Sequence, residues 1–176
     1  MRRAAVVVLL LALSACSRQS KPLSSNLNVE NKVSMREVRL YYESSDMMLV
    51  PETRNIAVPE NPAAAVPAVL RELLKGPANA AVPRLLPADA VLRAAYYLPE
   101  GIVIVDLGGP TLTNGWTTGT HQELMSIYSL VQTVVANFPG AKRVRILVNG
   151  TPAETLGGHI SLARSLAPNP SVVAGQ

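Results

Sequence analysis

The chain has 176 residues, 16 of them basic, 12 acidic and a single one cysteine, and 48% of it is apolar. One cysteine excludes a disulfide framework within the chain and a multi-thiolate zinc site. Two of the basic residues, Arg2 and Arg3, sit in an N-terminal segment that reads as removable. Without them 14 basic residues face 12 acidic ones, too even a balance for the clustered basic surface that nucleic acid demands.

Arg2-Arg3, the ten apolar residues Ala4 to Leu13 and the small residues after them have the order of a secretory signal. The run is shorter than the roughly 20 residues needed to span a bilayer. Leu13-Ser14-Ala15-Cys16 resembles the bacterial lipobox, in which the cysteine thiol becomes a diacylglyceryl thioether and cleavage leaves it as the acylated N-terminus. Two or more acyl chains give durable attachment where one gives only marginal binding. The expectation is therefore a signal peptide over 1–15, lipidation at Cys16, and a tether over 16–35. The tether is rich in Ser, Asn, Gln and Lys and has a reach of roughly 20 to 25 Å. This places the protein in the cell envelope, anchored to a membrane and facing the periplasm or the exterior.

The folded domain is expected over 36–166. Val38, Leu40 and Tyr42 alternate with Arg39 and Tyr41, a strand with one buried face. A second extended stretch from Leu49 to Val58 follows a turn at Ser44-Ser45-Asp46, and Pro51 within it predicts an edge position or a bulge. Asn61-Pro62 opens a helix carrying Val66, Val69, Leu70, Leu73 and Leu74, closed by Gly76-Pro77; Pro67 inside it predicts a kink or a late start. Two strands, Val91–Leu98 and Ile102–Leu107, flank Pro99-Glu100-Gly101, and the continuous apolar run Ile102 to Val105 reads as covered on both faces or as lying in the middle of a sheet. A loop rich in Gly and Thr carries Trp116, after which Thr120-His121-Gln122-Glu123 has the spacing of a capping box. The helix it opens bears the stripe Leu124, Ile127, Tyr128, Val131, Val134, Val135, Phe138 and stops at Pro139-Gly140. Val144, Ile146 and Val148 alternate as another strand, and Asn149-Gly150 signals a hairpin into a short return strand. Asn149-Gly150-Thr151 also has the form of a glycosylation acceptor, for which the turn is the preferred reading. Residues 167–176 are expected to be a disordered tail. The sum is an α+β fold: a mixed β-sheet of about six strands with two helices packed on one face, in ββαββαββ order.

Several blocks in that order are similar to the GerMN domain of sporulation and spore germination proteins. They are Val38-Arg39-Leu40-Tyr41-Tyr42, Leu49 to Arg54, Leu73-Leu74-Lys75-Gly76-Pro77 and Gly101 to Leu107, followed by Phe138 to Val144, Val148-Asn149-Gly150 and Glu154 to His159. The resemblance implies a non-catalytic envelope module, commonly on lipoproteins, with a fold similar to the ring-building motifs of secretion and sporulation complexes. It supplies no catalytic residues.

The residues themselves also point away from an enzyme. The two histidines, His121 and His159, are far apart in sequence, and neither a Gly-x-Ser-x-Gly elbow nor a Ser-x-x-Lys pattern occurs. No catalytic residue, metal ligand or cofactor is expected, and Asp106 reads as a turn-capping carboxylate. Contact residues are expected at Trp116, at the turn Gly157-Gly158-His159, and at Arg143 and Arg145, which strand alternation puts on one face. The paired glycines offer bare N–H groups to an anion or a close-approaching chain; a tight turn with a locally bonded His159 is the plainer reading. The expected partners are the membrane, an envelope protein or a second copy. A glycan or small ligand is the alternative, and a hydrolase the weaker one.

Overall fold

The structure, a computed structural model, describes residues 32–175, so the signal, Cys16 and most of the tether lie outside the described residues. Strands β1 (Val33–Glu43) and β2 (Leu49–Pro59) form an antiparallel hairpin in which Val33 pairs with Pro59 and Glu43 with Leu49. The strand begins three residues before the expected domain boundary, at Val33. Ladder bonds at its two ends, Glu60 N–H to Lys32 O and Ser44 N–H to Met48 O, show that even-numbered residues pair across the hairpin. Odd-numbered residues turn their N–H and C=O outward. Pro51 is one of them, so its missing donor falls on the open edge and the register runs without a bulge.

Helix α1 (Pro62–Leu74) is capped by Asn61, whose side chain accepts from the Ala63 N–H at 3.0 Å, and it starts at the proline rather than late. It continues through Pro67 and buries Val66, Val69, Leu70 and Leu73, each contributing on the order of 2 kcal/mol. Two guanidiniums serve the carbonyls at its C-terminal end. Arg84 Nη2 donates to Leu74 O at 2.6 Å and Arg54 Nη2 to Gly76 O at 2.7 Å, where the helix dipole favours positive charge. Arg54 also bonds Glu72 at 2.9 Å and lies 5.8 Å from the ring of Tyr42, whose hydroxyl donates to Leu73 O. Burial pushes the Tyr42 hydroxyl up to about 12.

Strands β3 (Val91–Tyr97), β4 (Ile102–Gly108), β5 (Arg143–Val148) and β6 (Thr151–Pro152) make the second sheet in that order. β4 and β5 run parallel, and the required crossover contains a short helix α2 (Pro110–Asn114) and the long helix α3 (Thr120–Asn137). Asn149 (φ 52°) and Gly150 (φ 77°) give the primed turn expected of an Asn-Gly hairpin. Val103, Val105, Leu107, Val144 and Ile146 face the core, whereas Ile102 and Ile104 are only half-buried, so β4 has one face fully covered and is the interior strand that its apolar run allowed, paired on both sides by β3 and β5.

The six strands and two long helices follow the expected α+β order, but the strands divide between two sheets, one of two and one of four. The cause lies on α3. Ser129 Oγ donates to Tyr41 O at 2.6 Å and Thr133 Oγ1 accepts from Tyr41 N–H at 3.0 Å. Asn137 accepts from Arg39 N–H at 3.0 Å and donates to Arg39 O at 2.7 Å. Three side chains spaced four apart thus occupy the outward groups of Arg39 and Tyr41, the part of β1 that α3 crosses, where a neighbouring strand would pair.

Two further expectations are corrected. The tail after residue 166 is not loose: Asn169 O accepts from Gln132 Nε2, Ala174 N–H bonds Leu49 O at 3.0 Å, and Val172 and Val173 are buried with Tyr41, Leu49, Leu85 and Met125. The apolar pair gives the tail a surface to bury, which composition alone understates. The capping box at Thr120 does not form either, since the N-cap is Gly119 without a side-chain bond.

Candidate functional site

Glu123 is free of the capping role because its carboxylate is engaged elsewhere. It projects from the first turn of α3 and is fully buried. Its Oε1 accepts from the N–H groups of Leu156 at 2.9 Å and Gly157 at 2.8 Å, and Oε2 accepts from His159 N–H at 2.8 Å. The remaining N–H of the turn, on Gly158, goes to Thr155 Oγ1 at 3.0 Å. The N–H groups that Leu156-Gly157-Gly158-His159 could offer to an anion are thus taken by side chains of the same protein. An external anion finds no N–H left there.

The two glycines do different work. Gly158 has φ +94°, a backbone region that side chains disfavour. At Gly157 a Cβ would collide with Thr118 Cγ2 and press on Glu123 Oε2, so glycine there lets the turn approach the loop before α3. His159 completes the clasp, its Nε2–H donating to Thr118 O at 2.9 Å.

The clasped turn forms one side of an open groove of about 780 Å³ between two walls. One wall is the loop from Leu112 to Thr118, including Trp116; the other runs from Thr155 to His159. Trp116 is half-buried and packs against the core while lining the groove. The structure thus brings together Trp116, Gly157, Gly158 and His159, four of the sequence-expected contact residues. It does not bring in Arg143 and Arg145. These share a face of β5, opposite the buried Val144 and Ile146, and hold the returning chain through bonds of 2.6 Å from Arg143 Nη2 to Ser165 O and from Arg145 Nη1 to Ala163 O.

The other polar candidates have structural partners. Asp106 accepts from Gly150 N–H at 2.8 Å and from Arg93 Nε at 3.3 Å, bracing the β5–β6 turn. His121 pairs with Glu43, which fastens α3 to the end of β1. Among the described residues no three His, Cys, Asp or Glu side chains gather as a metal site, and no helix is long and apolar enough to cross a membrane. Glu123 is the residue sequence reasoning missed. Its only local signal, three places after Thr120, pointed to the cap.

Residues 39–154 match the family model described as sporulation and spore germination, the Germane or GerMN domain. The chain belongs to this family. Solved GerMN structures share the fold. The tandem GerMN domains of the sporulation protein GerM from Bacillus subtilis are 21% identical with a TM-score of 0.60, covering 81% of this chain and 48% of that one. The first GerMN domain of the same protein is 19% identical with a TM-score of 0.54, covering 75% and 97%. A Clostridium perfringens protein provisionally described as a lipoprotein is 16% identical with a TM-score of 0.55, covering 82% and 95%. No curated protein matches the chain significantly. The GerMN match ends at residue 154, so the turn that forms the second wall of the groove follows it.

Proposed function

We propose that this GerMN protein is a lipid-anchored envelope module without chemistry of its own, which assembles with a protein partner through the free edge of β2. The edge carries the reading. β1 has its outward groups at Arg39 and Tyr41 filled by α3, whereas the outward groups of Thr53, Asn55 and Ala57 on β2 have no backbone partner among the described residues. All three residues are exposed. An unpaired run of this kind is a template for strand addition, in which main-chain hydrogen bonds supply affinity and alternate side chains supply specificity.

The remaining support is of three kinds. The family description names sporulation and germination, the similar Clostridium protein is described as a lipoprotein, and the Leu13-Ser14-Ala15-Cys16 motif fits thioether lipidation. Both histidines are used as structural fasteners. The test is co-isolation from membranes of the natural and Asn55→Pro proteins, with intact-mass analysis of each. Because the Asn55 N–H points outward, proline there removes no ladder bond of the hairpin yet blocks an added strand. A diacylglycerol-bearing Cys16 and a partner lost only from the Asn55→Pro protein is the expected result. An unmodified thiol sinks the anchor, and a partner retained in full by the variant sinks the edge.

A further inference from the structure

The Trp116 groove has a composition that narrows what it can hold. Its lining contains no Asp, Glu, Lys or Arg, and His159 is its only titratable side chain. His159 already spends Nε2 on Thr118 O, and the N–H groups of the turn are consumed by Glu123 and Thr155. An ionic ligand would find no opposite charge. What the groove does offer is an indole ring, the Thr117 hydroxyl and the Asn114 amide, neither of which has a side-chain hydrogen bond within the described residues. Its volume falls within the range of roughly 300 to 1,000 Å³ typical of ligand sites.

The walls are held before any ligand arrives. Thr118 Oγ1 donates to Gln122 Oε1 at 2.8 Å, Asn149 Nδ2 donates to Thr113 Oγ1 at 2.7 Å, and Thr113 Oγ1 donates to Gly109 O at 2.8 Å. With Glu123 clasping the opposite wall, little ordering remains to be done on binding, which favours affinity for a ligand of modest contact energy. Gly115 and Gly158 each face open space where a Cβ would stand, so neither wall is crowded at these points.

We propose that this groove binds a neutral, polyhydroxylated chain, a glycan segment whose apolar ring face stacks on Trp116 while its hydroxyl or amide groups bond Asn114 and Thr117. An aromatic ring suits such a ligand because it presents a broad apolar surface beside a polar N–H. The site is separate from the β2 edge, and its occupation does not depend on strand addition there.

Trp116 is the only tryptophan in the chain, so its emission reports this groove alone. The purified full chain is titrated with N-acetylglucosamine tetramer, cellotetraose and maltotetraose, following emission and, in parallel, heat. The expected result is a saturable change with at least one of them. Its affinity stays within twofold when salt is raised to about 0.5 M, because the ligand is uncharged. Thr117→Arg should weaken binding at least tenfold, and calorimetry of Trp116→Ala should show the same loss. A single cooperative thermal melt with its midpoint well above the titration temperature confirms that each variant is folded. Absence of saturable binding to all three sugars, binding that vanishes in salt, or full affinity in folded Trp116→Ala each overturns the proposal.

Discussion

Glu123→Gln isolates the clasp on which the candidate site is built. The natural carboxylate is fully buried and takes three N–H groups, two on Oε1 and one on Oε2. Glutamine keeps the shape and one acceptor oxygen for Leu156 and Gly157, but either amide orientation sets an NH₂ against a backbone N–H. The bond to His159 is lost, about 1.5 to 3 kcal/mol for a bond to a charged acceptor. The two retained bonds weaken from charged to neutral, about 1 kcal/mol each. Removing a buried charge returns part of this, because an ion taken out of water carries a desolvation penalty of several kcal/mol. The net expectation is a loss of about 2 kcal/mol, or roughly 4 to 8 °C in thermal midpoint for a domain of this size. Glu123→Ala, which strands all three donors, should cost about 3 to 5 kcal/mol. Thermal melts followed by far-ultraviolet dichroism measure both. Faster amide exchange in glutamine at residues 156, 157 and 159, with the β1–β2 hairpin unaffected, localises the damage. A Glu123→Gln protein melting within about 1 °C of the natural one would falsify the clasp.

The α3 side chains that close β1 predict a graded effect. Thr133→Val leaves the Tyr41 N–H without its acceptor and should cost about 1 to 3 kcal/mol by urea unfolding; a neutral result would mean that water serves that edge equally well. Tyr42 predicts loss of stability in base. Its folded value of about 12 lies above the unfolded value near 10, so the folded form keeps a proton that the unfolded form releases. Stability from this group is present below pH 10 and lost as pH rises toward 12. Tyrosinate absorbance should show a late-titrating component that Tyr42→Phe removes, and a high-pH component unchanged in Tyr42→Phe would contradict it. Pro67 forfeits a helix hydrogen bond inside α1, so Pro67→Ala should raise stability by about 1 to 3 kcal/mol; a fall in thermal midpoint would show that the ring's packing outweighs the lost bond.

Local signals carried most of the fold. Asn149-Gly150 turned where its backbone preference requires, the alternation of Val144 and Ile146 placed β5, and Asn61-Pro62 opened α1. What local pattern could not show is where polar side chains go once buried. Ser129, Thr133 and Asn137 look like ordinary polar interruptions of a helix, yet their spacing of four puts them on one line, and that line meets the edge of β1. The recurrence of hydroxyl and amide groups on one helix stripe is the trace that the split between sheets leaves in the sequence. Glu123 offered no such means. Its partners lie 33 to 36 residues away and are backbone groups, which leave no trace in residue type except the glycine at 157 that makes room. The same holds for Arg143 and Arg145, whose partners are carbonyls of the returning chain. Trp116 and the Gly157-Gly158-His159 turn were legible as candidates separately, and the clasp explains why they meet.

The role of the β2 edge is tested most directly by placing a photo-cross-linking side chain at Asn55 and, in a second strain, at Arg39, and illuminating intact cells. Both positions are exposed on the same hairpin, but Arg39 sits where α3 already fills the backbone groups. A discrete protein adduct at Asn55 and none at Arg39 is the predicted result. Equal adducts at the two positions, or none at Asn55, would contradict assembly by strand addition.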